Sequence, residues 1–220
     1  MKYYPVYLDL KDRECIVVGG GEVGARKALG LERCGARVRV ISRDFSEKFN
    51  LGDRPTLKLE NRPYEEKDLE NAFLVFAATD NGALNRQIRE DARKAGALCC
   101  LADAPELGDF ILPAVMEQGD LVCAVSTSGT SPALAKKIKK ELAGMFGPEY
   151  GIFLALMGNI RKRLLEAGHD PDRHRKVFTT LVEKDLPDLI AAGDKETIDS
   201  ILKDLLGREY DYQSLVSQES

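Results

Sequence analysis

Three glycines near the start of the chain constrain its fold more than any other feature. Gly19, Gly21 and Gly24 follow an apolar segment at residues 15–18 and open an amphipathic segment that begins near Val23. In this setting the first glycine permits a sharp turn, the second lets a ligand approach the backbone, and the third lets a helix pack on a sheet. The helix start then presents free amides to phosphates. The pattern predicts a dinucleotide site; the alternative is a glycine-rich turn without a ligand.

The first half of the chain alternates strand patterns with helical patterns, which is typical of a parallel sheet with crossover helices. The predicted strands are residues 14–18, 37–41, 56–59, 73–78 and 98–102, and the predicted helices are residues 23–34 and 82–95. Gly35 and Gly96 follow the two helices and suit their C-terminal caps. The sequence therefore predicts an α/β fold with a Rossmann-like domain over residues 1–113.

The pattern changes after Pro113. The predicted elements are a β-hairpin with strands at residues 110–115 and 121–125 and a turn at residues 116–120, a basic helix at residues 133–145, and helices at residues 152–167, 173–184 and 195–206. We expect a small α+β region at residues 114–148 and a C-terminal helical domain at residues 149–220.

Charge and hydropathy exclude several classes of protein. The 220 residues carry a formal net charge of −4, which argues against a general nucleic-acid-binding protein. The sequence has no apolar run long enough to span a bilayer and no signal-peptide core, so we expect a cytoplasmic protein with no membrane partner. The five cysteines lack metal or redox spacing and are interpreted as small buried apolar residues. No metal-ligand set is evident.

Two further segments follow predicted strands, at the sheet edge where ligands bind in open α/β folds. The second strand ends in Ser42, Arg43 and Asp44. Asp44 can hydrogen-bond an adenosine ribose, or Ser42 and Arg43 can accept a 2′-phosphate. All three residues can also simply form the next turn. The identity of the coenzyme, NAD or NADP, therefore stays open at this point. Ala78 and Thr79 close the central strand. They can lie against a nicotinamide ribose, and Thr79 or Asp80 can also cap the next helix.

Asp103 follows the predicted strand at residues 98–102 and comes to the same sheet edge as the glycine turn. A carboxylate at that edge is well placed for acid–base chemistry beside a cofactor. Aspartate also favours such turns for purely structural reasons. Asp103 is therefore a candidate catalytic residue with a structural alternative.

A hydroxyl-rich loop precedes the basic helix in the second half of the chain. It comprises Ser126, Thr127, Ser128, Gly129 and Thr130. Pro132 suits the first turn of the helix that follows, so the loop is either an anion-binding helix start or only a well-capped one. Lys136 and its basic neighbours suit a substrate with several carboxylates, or they form a solvated face.

Six motifs occur in the order of one protein family. They are YPVYLDL at residues 4–10, VVGGGEV at 17–23, AATD at 77–80, DAP at 103–105, FILPA at 110–114 and STSGTSP at 126–132. This succession closely resembles the precorrin-2 dehydrogenase family, which also forms the N-terminal half of siroheme synthase. The resemblance is strong over about residues 3–145 and continues loosely into the helical tail.

The resemblance implies an NAD-dependent enzyme of siroheme biosynthesis. Members transfer hydride from precorrin-2 to NAD⁺ and form sirohydrochlorin, and some then insert iron as a ferrochelatase. The resemblance assigns Asp103 the role of general base. It also puts Glu22, Val23, Arg43 and Asp44 on positions that contact the coenzyme, which favours NAD over NADP.

The same resemblance implies that residues 126–130 and Lys136 face the carboxylates of the tetrapyrrole. It further implies a homodimer whose intertwined region is approximately residues 114–145. Thr127 and Ser128 stand where the family often has Ser-Gly or Ser-Ser, so details of this loop need not carry over. We expect no methyltransferase domain, so another polypeptide would supply precorrin-2. An NAD-binding regulatory module and a tetrapyrrole carrier stay open as alternatives without catalysis.

Overall fold

The structure, a computed structural model, describes residues 1–50, 52, 54–168 and 170–217. It divides into two units, Met1–Leu112 and Pro113–Ser220, each with its own hydrophobic core. The three-part division with boundaries at residues 113 and 148 stays a prediction. Within the described ranges, every helix is too short or too polar to cross a membrane.

A five-stranded parallel sheet forms the centre of the first unit. Its strands are β1 (Glu14–Val18), β2 (Arg37–Ser42), β3 (Leu57–Asn61), β4 (Leu74–Ala77) and β5 (Leu98–Leu101), and its helices are α1 (Glu22–Arg33) and α2 (Gly82–Ala95). The strand order is β3-β2-β1-β4-β5. This is the order of a doubly wound nucleotide-binding sheet, so the predicted α/β, Rossmann-like fold is confirmed.

The sheet is buried on both faces because its central strands are apolar throughout. In β1, Cys15 and Val17 pack in the core on the α1 side, whereas Ile16 and Val18 pack in the core on the α2 side. Burial raises the pKa of the Cys15 thiol to about 11, so this residue stays protonated and behaves as a small apolar side chain. The same interpretation is wrong for Cys34, which is exposed at the end of α1.

The second unit combines a hairpin with a helical bundle. Its elements are β6 (Ala114–Gln118), β7 (Leu121–Val125), α3 (Pro132–Met145), α4 (Pro148–Ala167), α5 (Pro171–Val182), α6 (Leu186–Ala192), α7 (Lys195–Leu206) and α8 (Tyr212–Val216). Strands β6 and β7 pair antiparallel, and α3 packs against both. Helices α4 to α8 share one apolar core. The predicted hairpin and the helical character of the C-terminal part are confirmed.

The second strand of the hairpin lies where the sequence pattern predicted, but the first strand lies later in the chain. Strand β6 continues to Gln118, so residues 116–118, predicted as a turn, belong to the ladder with β7. Gly119 and Asp120 alone separate the two strands. Gly119 has a φ of +57°, and a Cβ there would lie 2.9 Å from the Cα of Gly151 in α4. Helices α6 and α8 were not predicted, because they are too short to show helical periodicity in the sequence.

A buried carboxylate holds the connection between β3 and β4. Asp68 is 3% exposed and accepts two bonds from the guanidinium of Arg62, at 2.8 and 2.6 Å, and one from the N–H of Glu65, at 2.8 Å. Burial opposes ionisation, but these bonds outweigh it and hold the pKa of Asp68 below its usual value. Arg39 donates to the carbonyl oxygen of Asp68 at 2.6 Å. The cluster therefore links β2 to the β3–β4 connection.

We expect Asp68→Asn to lower the free energy of unfolding by about 1–3 kcal/mol at neutral pH, because Arg62 loses its ionised partner. A carboxyl group whose pKa is lowered by folding stabilises the protein above its unfolded pKa, about 4. That stabilisation is lost as the pH falls through the folded value. The difference between variant and wild type should therefore shrink in acid.

Urea unfolding at neutral and acid pH measures this difference, with hydrogen exchange to assign it to the first unit. Glu66→Gln is the control, because Glu66 forms an exposed ion pair with Lys94 and such pairs contribute at most about 1 kcal/mol. A difference that stays constant with pH would contradict a role for ionised Asp68.

Candidate dinucleotide-binding site

The glycine turn and the turn after β4 lie side by side at the centre of the sheet. The strand order reverses between β1 and β4, and doubly wound folds bind ligands outside the carboxyl ends of the strands at such a reversal. The N–H of Ala78 donates to the carbonyl oxygen of Val18 at 2.8 Å. The structure therefore brings together two of the three segments that were predicted to bind the cofactor.

Backbone atoms crowd three positions of the glycine turn. A Cβ on Gly19, whose φ is +120°, would lie 2.3 Å from the carbonyl oxygen of Ala78, and a Cβ on Gly24 would lie 1.9 Å from that of Gly19. Gly20, which the spacing rule leaves free, is crowded as well, because its Cβ would lie 2.1 Å from the carbonyl oxygen of Asp44. These contacts require glycine for packing alone.

The start of α1, by contrast, is open. Gly21 is its N-cap residue, has no capping side chain, and has no described atom within 4 Å of an ideal Cβ. The N–H groups of Glu22 and Val23 meet no acceptor in the described part of the chain. Asn81 caps α2, accepting from two amides at 3.0 and 3.1 Å, and Ser131 caps α3. An uncapped helix start with free amides binds anions, so these residues fit a pyrophosphate.

The turn after β2 borders the glycine turn on its other side. The N–H of Ser46 donates to the carbonyl oxygen of Gly20 at 2.8 Å. Arg43 and Asp44 are exposed, and among the described residues they form hydrogen bonds only through backbone atoms. The hydroxyl of Ser46 is buried and finds no partner among the described residues. A carboxylate, a guanidinium and a hydroxyl at this border fit an adenosine ribose and leave NAD and NADP undecided.

A buried side chain that the sequence analysis did not single out fixes the turn after β4. Asn85 is 0% exposed, and its Oδ1 accepts from the N–H and the hydroxyl of Thr79 at 3.2 and 2.6 Å. Its Nδ2 donates to the carbonyl oxygen of Thr79 at 3.1 Å. Thr79 therefore does not cap α2, because Asn81 does. A polar residue in the buried stripe with Ile88 and Ala92 is the signal that could have identified Asn85.

Asp103 lies at the same sheet edge as the glycine turn, after the strand next to β4. The N–H of Ala102 donates to the carbonyl oxygen of Ala77 at 2.9 Å. The carboxylate of Asp103 is exposed and accepts no hydrogen bond from a described residue, and its Oδ2 lies 3.2 Å from an ideal Cβ on Gly82. Asn81 already occupies the first amides of α2, so Asp103 is not a helix cap. The carboxylate is therefore open to a ligand or substrate at this sheet edge.

The hydroxyl loop belongs to the second unit and forms a tight turn. The N–H of Thr130 donates to the carbonyl oxygen of Thr127 at 3.0 Å, and the two residues between them, Ser128 and Gly129, have φ values of 53° and 88°. Ser126 Oγ accepts from the N–H of Ser128 at 3.0 Å. The loop is therefore ordered by its own hydrogen bonds, and its tip is exposed.

The helix after this loop has a capping side chain at its start. Ser131 Oγ accepts from the N–H of Leu134 at 3.3 Å, so this one amide is capped, as the alternative interpretation expects. Lys136 is exposed on the same helix. The roles of the loop and of Lys136 toward a substrate stay predictions. Across the described ranges, no three His, Cys, Asp or Glu side chains come together in a cluster that could hold a metal ion.

Comparison with known proteins adds independent information. Residues 6–114 match a family described as NAD(P)-binding, and residues 118–145 match the central part of a sirohaem biosynthesis protein. The siroheme synthases of Escherichia coli (strain SE11) and Escherichia fergusonii are each 32% identical over 218 residues, covering 98% of this chain and 48% of theirs. The chain thus spans about half the length of these relatives. The structure of SirC, precorrin-2 dehydrogenase, matches with a TM-score of 0.75 and 28% identity, over 91% of this chain and 100% of that chain.

The parallel sheet, the glycine turn and the open start of α1 define a Rossmann-like protein that binds a nicotinamide coenzyme. Within that class the chain belongs to the family of siroheme synthase and precorrin-2 dehydrogenase. The family resemblance drawn from the six motifs is therefore confirmed.

We expect Asn85→Leu to lower the free energy of unfolding by about 2 kcal/mol, because the N–H, the carbonyl and the hydroxyl of Thr79 each lose a hydrogen bond to Asn85. Gln87→Leu is the matched control, since Gln87 is exposed on the same helix and exposed substitutions usually change stability by less than about 0.5 kcal/mol. Thermal and urea unfolding measure both variants. Equal stability of the two would show that the Asn85 bonds do not hold the turn.

Proposed function

We propose that this chain is an NAD-dependent precorrin-2 dehydrogenase that forms sirohydrochlorin in siroheme biosynthesis. Similarity to SirC, precorrin-2 dehydrogenase, over the full length of that chain supports the activity. The observation that carries the proposal is the free carboxylate of Asp103 at the sheet edge that bears the glycine turn. In the overall reaction precorrin-2 and NAD⁺ give sirohydrochlorin, NADH and a proton, so one base is needed.

The residues at this sheet edge have different roles in binding the coenzyme and in proton transfer. Bound NAD⁺ would supply the hydride acceptor. The free amides of Glu22 and Val23 hold the pyrophosphate, and Gly21 allows it to approach the backbone. Thr79, fixed by Asn85, shapes the nicotinamide side of the site. Asp103 accepts the proton that the substrate loses as hydride leaves, and its exposure lets it return that proton to water.

The proposal specifies NAD rather than NADP. The carboxylate of Asp44 has no partner among the described residues. The backbone carbonyl oxygen of the same residue lies against the glycine turn at Gly20. A carboxylate at this border hydrogen-bonds ribose hydroxyls and repels a 2′-phosphate. Arg43 would then contact the adenosine side of the coenzyme.

We also propose how the chain binds its substrate, that it forms a homodimer, and where it is located. Residues 126–130 and Lys136 are proposed to bind carboxylates of the tetrapyrrole, since hydroxyls and a lysine suit anionic groups. A homodimer through residues 114–145 is proposed because β6 and β7 form a separate two-stranded sheet whose outer edges pair with no described strand, and an unpaired strand edge can pair with a strand of a second copy. A cytoplasmic location is proposed because the described cysteines are free thiols.

Gly21→Ala tests the pyrophosphate site without disturbing the fold. The backbone of Gly21, with φ −74° and ψ −175°, suits any residue, and its Cβ would meet no described atom. We expect unchanged stability and NAD⁺ binding weakened at least tenfold, about 1.4 kcal/mol, because the methyl group takes the space of the ligand.

Gly30→Ala is the control for this variant, because Gly30 lies on the same helix and its Cβ would also meet nothing. It should leave the Kd for NAD⁺ unchanged and raise stability by up to about 1 kcal/mol. Titration calorimetry and thermal unfolding measure both effects. Unchanged NAD⁺ affinity in Gly21→Ala would contradict a pyrophosphate site at this turn.

Asp103→Asn tests the catalytic base. We expect kcat to fall by about 100-fold or more, the usual contribution of general base catalysis, while the Kd for NAD⁺ changes little. The assay is anaerobic incubation with enzymatically made precorrin-2 and NAD⁺, followed by the absorbance of NADH and sirohydrochlorin. Glu106→Gln is the control, since Glu106 is an exposed carboxyl group three residues away.

Two outcomes would contradict the proposal. Full activity of Asp103→Asn would remove the base assignment. Failure of the wild-type protein to form NADH, while it still binds NAD⁺ or sirohydrochlorin, would contradict the dehydrogenase and favour a regulatory module or a carrier.

A further inference from the structure

The first turn of α2 leaves a space on which two charged groups converge. Gly82 is the first residue of this helix and has no side chain. An ideal Cβ at this position would lie 3.2 Å from Oδ2 of Asp103 and 3.6 Å from Nη1 of Arg86. The guanidinium of Arg86 therefore reaches back along the helix toward the carboxyl edge of the sheet, where the carboxylate of Asp103 lies.

Arg86 differs from the other arginines of the same helix. Arg89 donates to the carbonyl oxygen of Leu107 and contacts Glu90, and Arg93 pairs with Glu90 at 2.9 Å. The side chain of Arg86 is exposed, and the structure records neither an ion pair nor a hydrogen bond between it and any described residue, Asp103 included. It is thus a free cation beside the candidate base.

This arrangement suits an anionic substrate better than an internal ion pair. A guanidinium bound to the carboxylate would stabilise its ionised form and make it a weaker base. Held apart from it, the planar fork of an arginine can take a carboxylate of the substrate through two parallel bonds. Asp103 then faces the part of the substrate next to that carboxylate.

We propose that Arg86 binds a carboxylate substituent of the tetrapyrrole substrate and thereby orients the reacting part of the ring toward Asp103. This inference rests on the proposed function and adds a substrate-binding residue to it. The ligand class is a polycarboxylate macrocycle, and the contact is a bidentate charge-assisted pair.

The test compares Arg86→Gln and Arg86→Lys with Arg93→Gln, an exposed arginine on the same helix whose partner is Glu90. Sirohydrochlorin binding is measured by absorbance titration without turnover, and KM and kcat are measured with precorrin-2. For Arg86→Gln we expect the Kd for sirohydrochlorin and the KM for precorrin-2 to rise at least tenfold, with the Kd for NAD⁺ unchanged. Arg86→Lys keeps the charge but not the fork and should lie in between, and Arg93→Gln should match the wild type.

The outcomes separate this inference from the proposed function. An unchanged Kd and KM in Arg86→Gln overturns it, and so does a fall in kcat alone, which would mean that Arg86 acts only on Asp103. Binding of sirohydrochlorin that depends on Arg86, in a wild-type protein that forms no NADH, supports the inference while the dehydrogenase fails. Circular dichroism of each variant confirms that the fold is intact.

Discussion

The close contact between the backbone at Gly19 and the carbonyl group of Ala78 is the constraint on which the first unit depends. At 2.3 Å from that oxygen no Cβ can be accommodated, so the turns after β1 and β4 can lie together only with glycine at this position. Glycine at positions 20 and 24 likewise allows the turn after β2 and the start of α1 to lie close against the glycine turn. The proposed pyrophosphate site is therefore formed mainly by backbone atoms, and the described side chains of Arg43 and Asp44 lie at its border.

Much of this could be predicted from the sequence because it depends on local pattern. The apolar segment before Gly19 indicates β1, and the position of Asp103 after a strand predicts its sheet edge without knowledge of any contact. Gly20 could not be found in this way, and for Asn85 the pattern shows only a polar residue in a buried helix stripe, without its partner. Their importance comes from Thr79 and Asp44, which lie in other turns of the sheet edge. The first strand of the hairpin was predicted too early in the chain for a related reason. Its register with β7 is fixed by the two-residue turn at residues 119–120.

The charges around the site behave differently from those that hold the fold. Asp68 is buried and tied to Arg62 by two hydrogen bonds, and removal of Arg62 would leave the buried carboxylate without its ion-pair partner. Asp44 and Asp103 are exposed instead, with no side-chain partner in the described part of the chain. Water solvates such groups, so they neither strengthen nor weaken the folded state much. Their charge is thus available to a ligand that displaces this water.

The backbone conformation at Gly82, the first residue of α2, does not require glycine. Its φ lies outside the left-handed region, so any residue could adopt this conformation, and glycine is a poor helix former. Asn81 caps the helix irrespective of the residue that follows it. What glycine provides is room, because a methyl group would lie 3.2 Å from the carboxylate of Asp103 and close to the guanidinium of Arg86. A small loss of helix stability therefore leaves room for a carboxylate and a guanidinium side by side, which form no ion pair with each other and are exposed to a substrate.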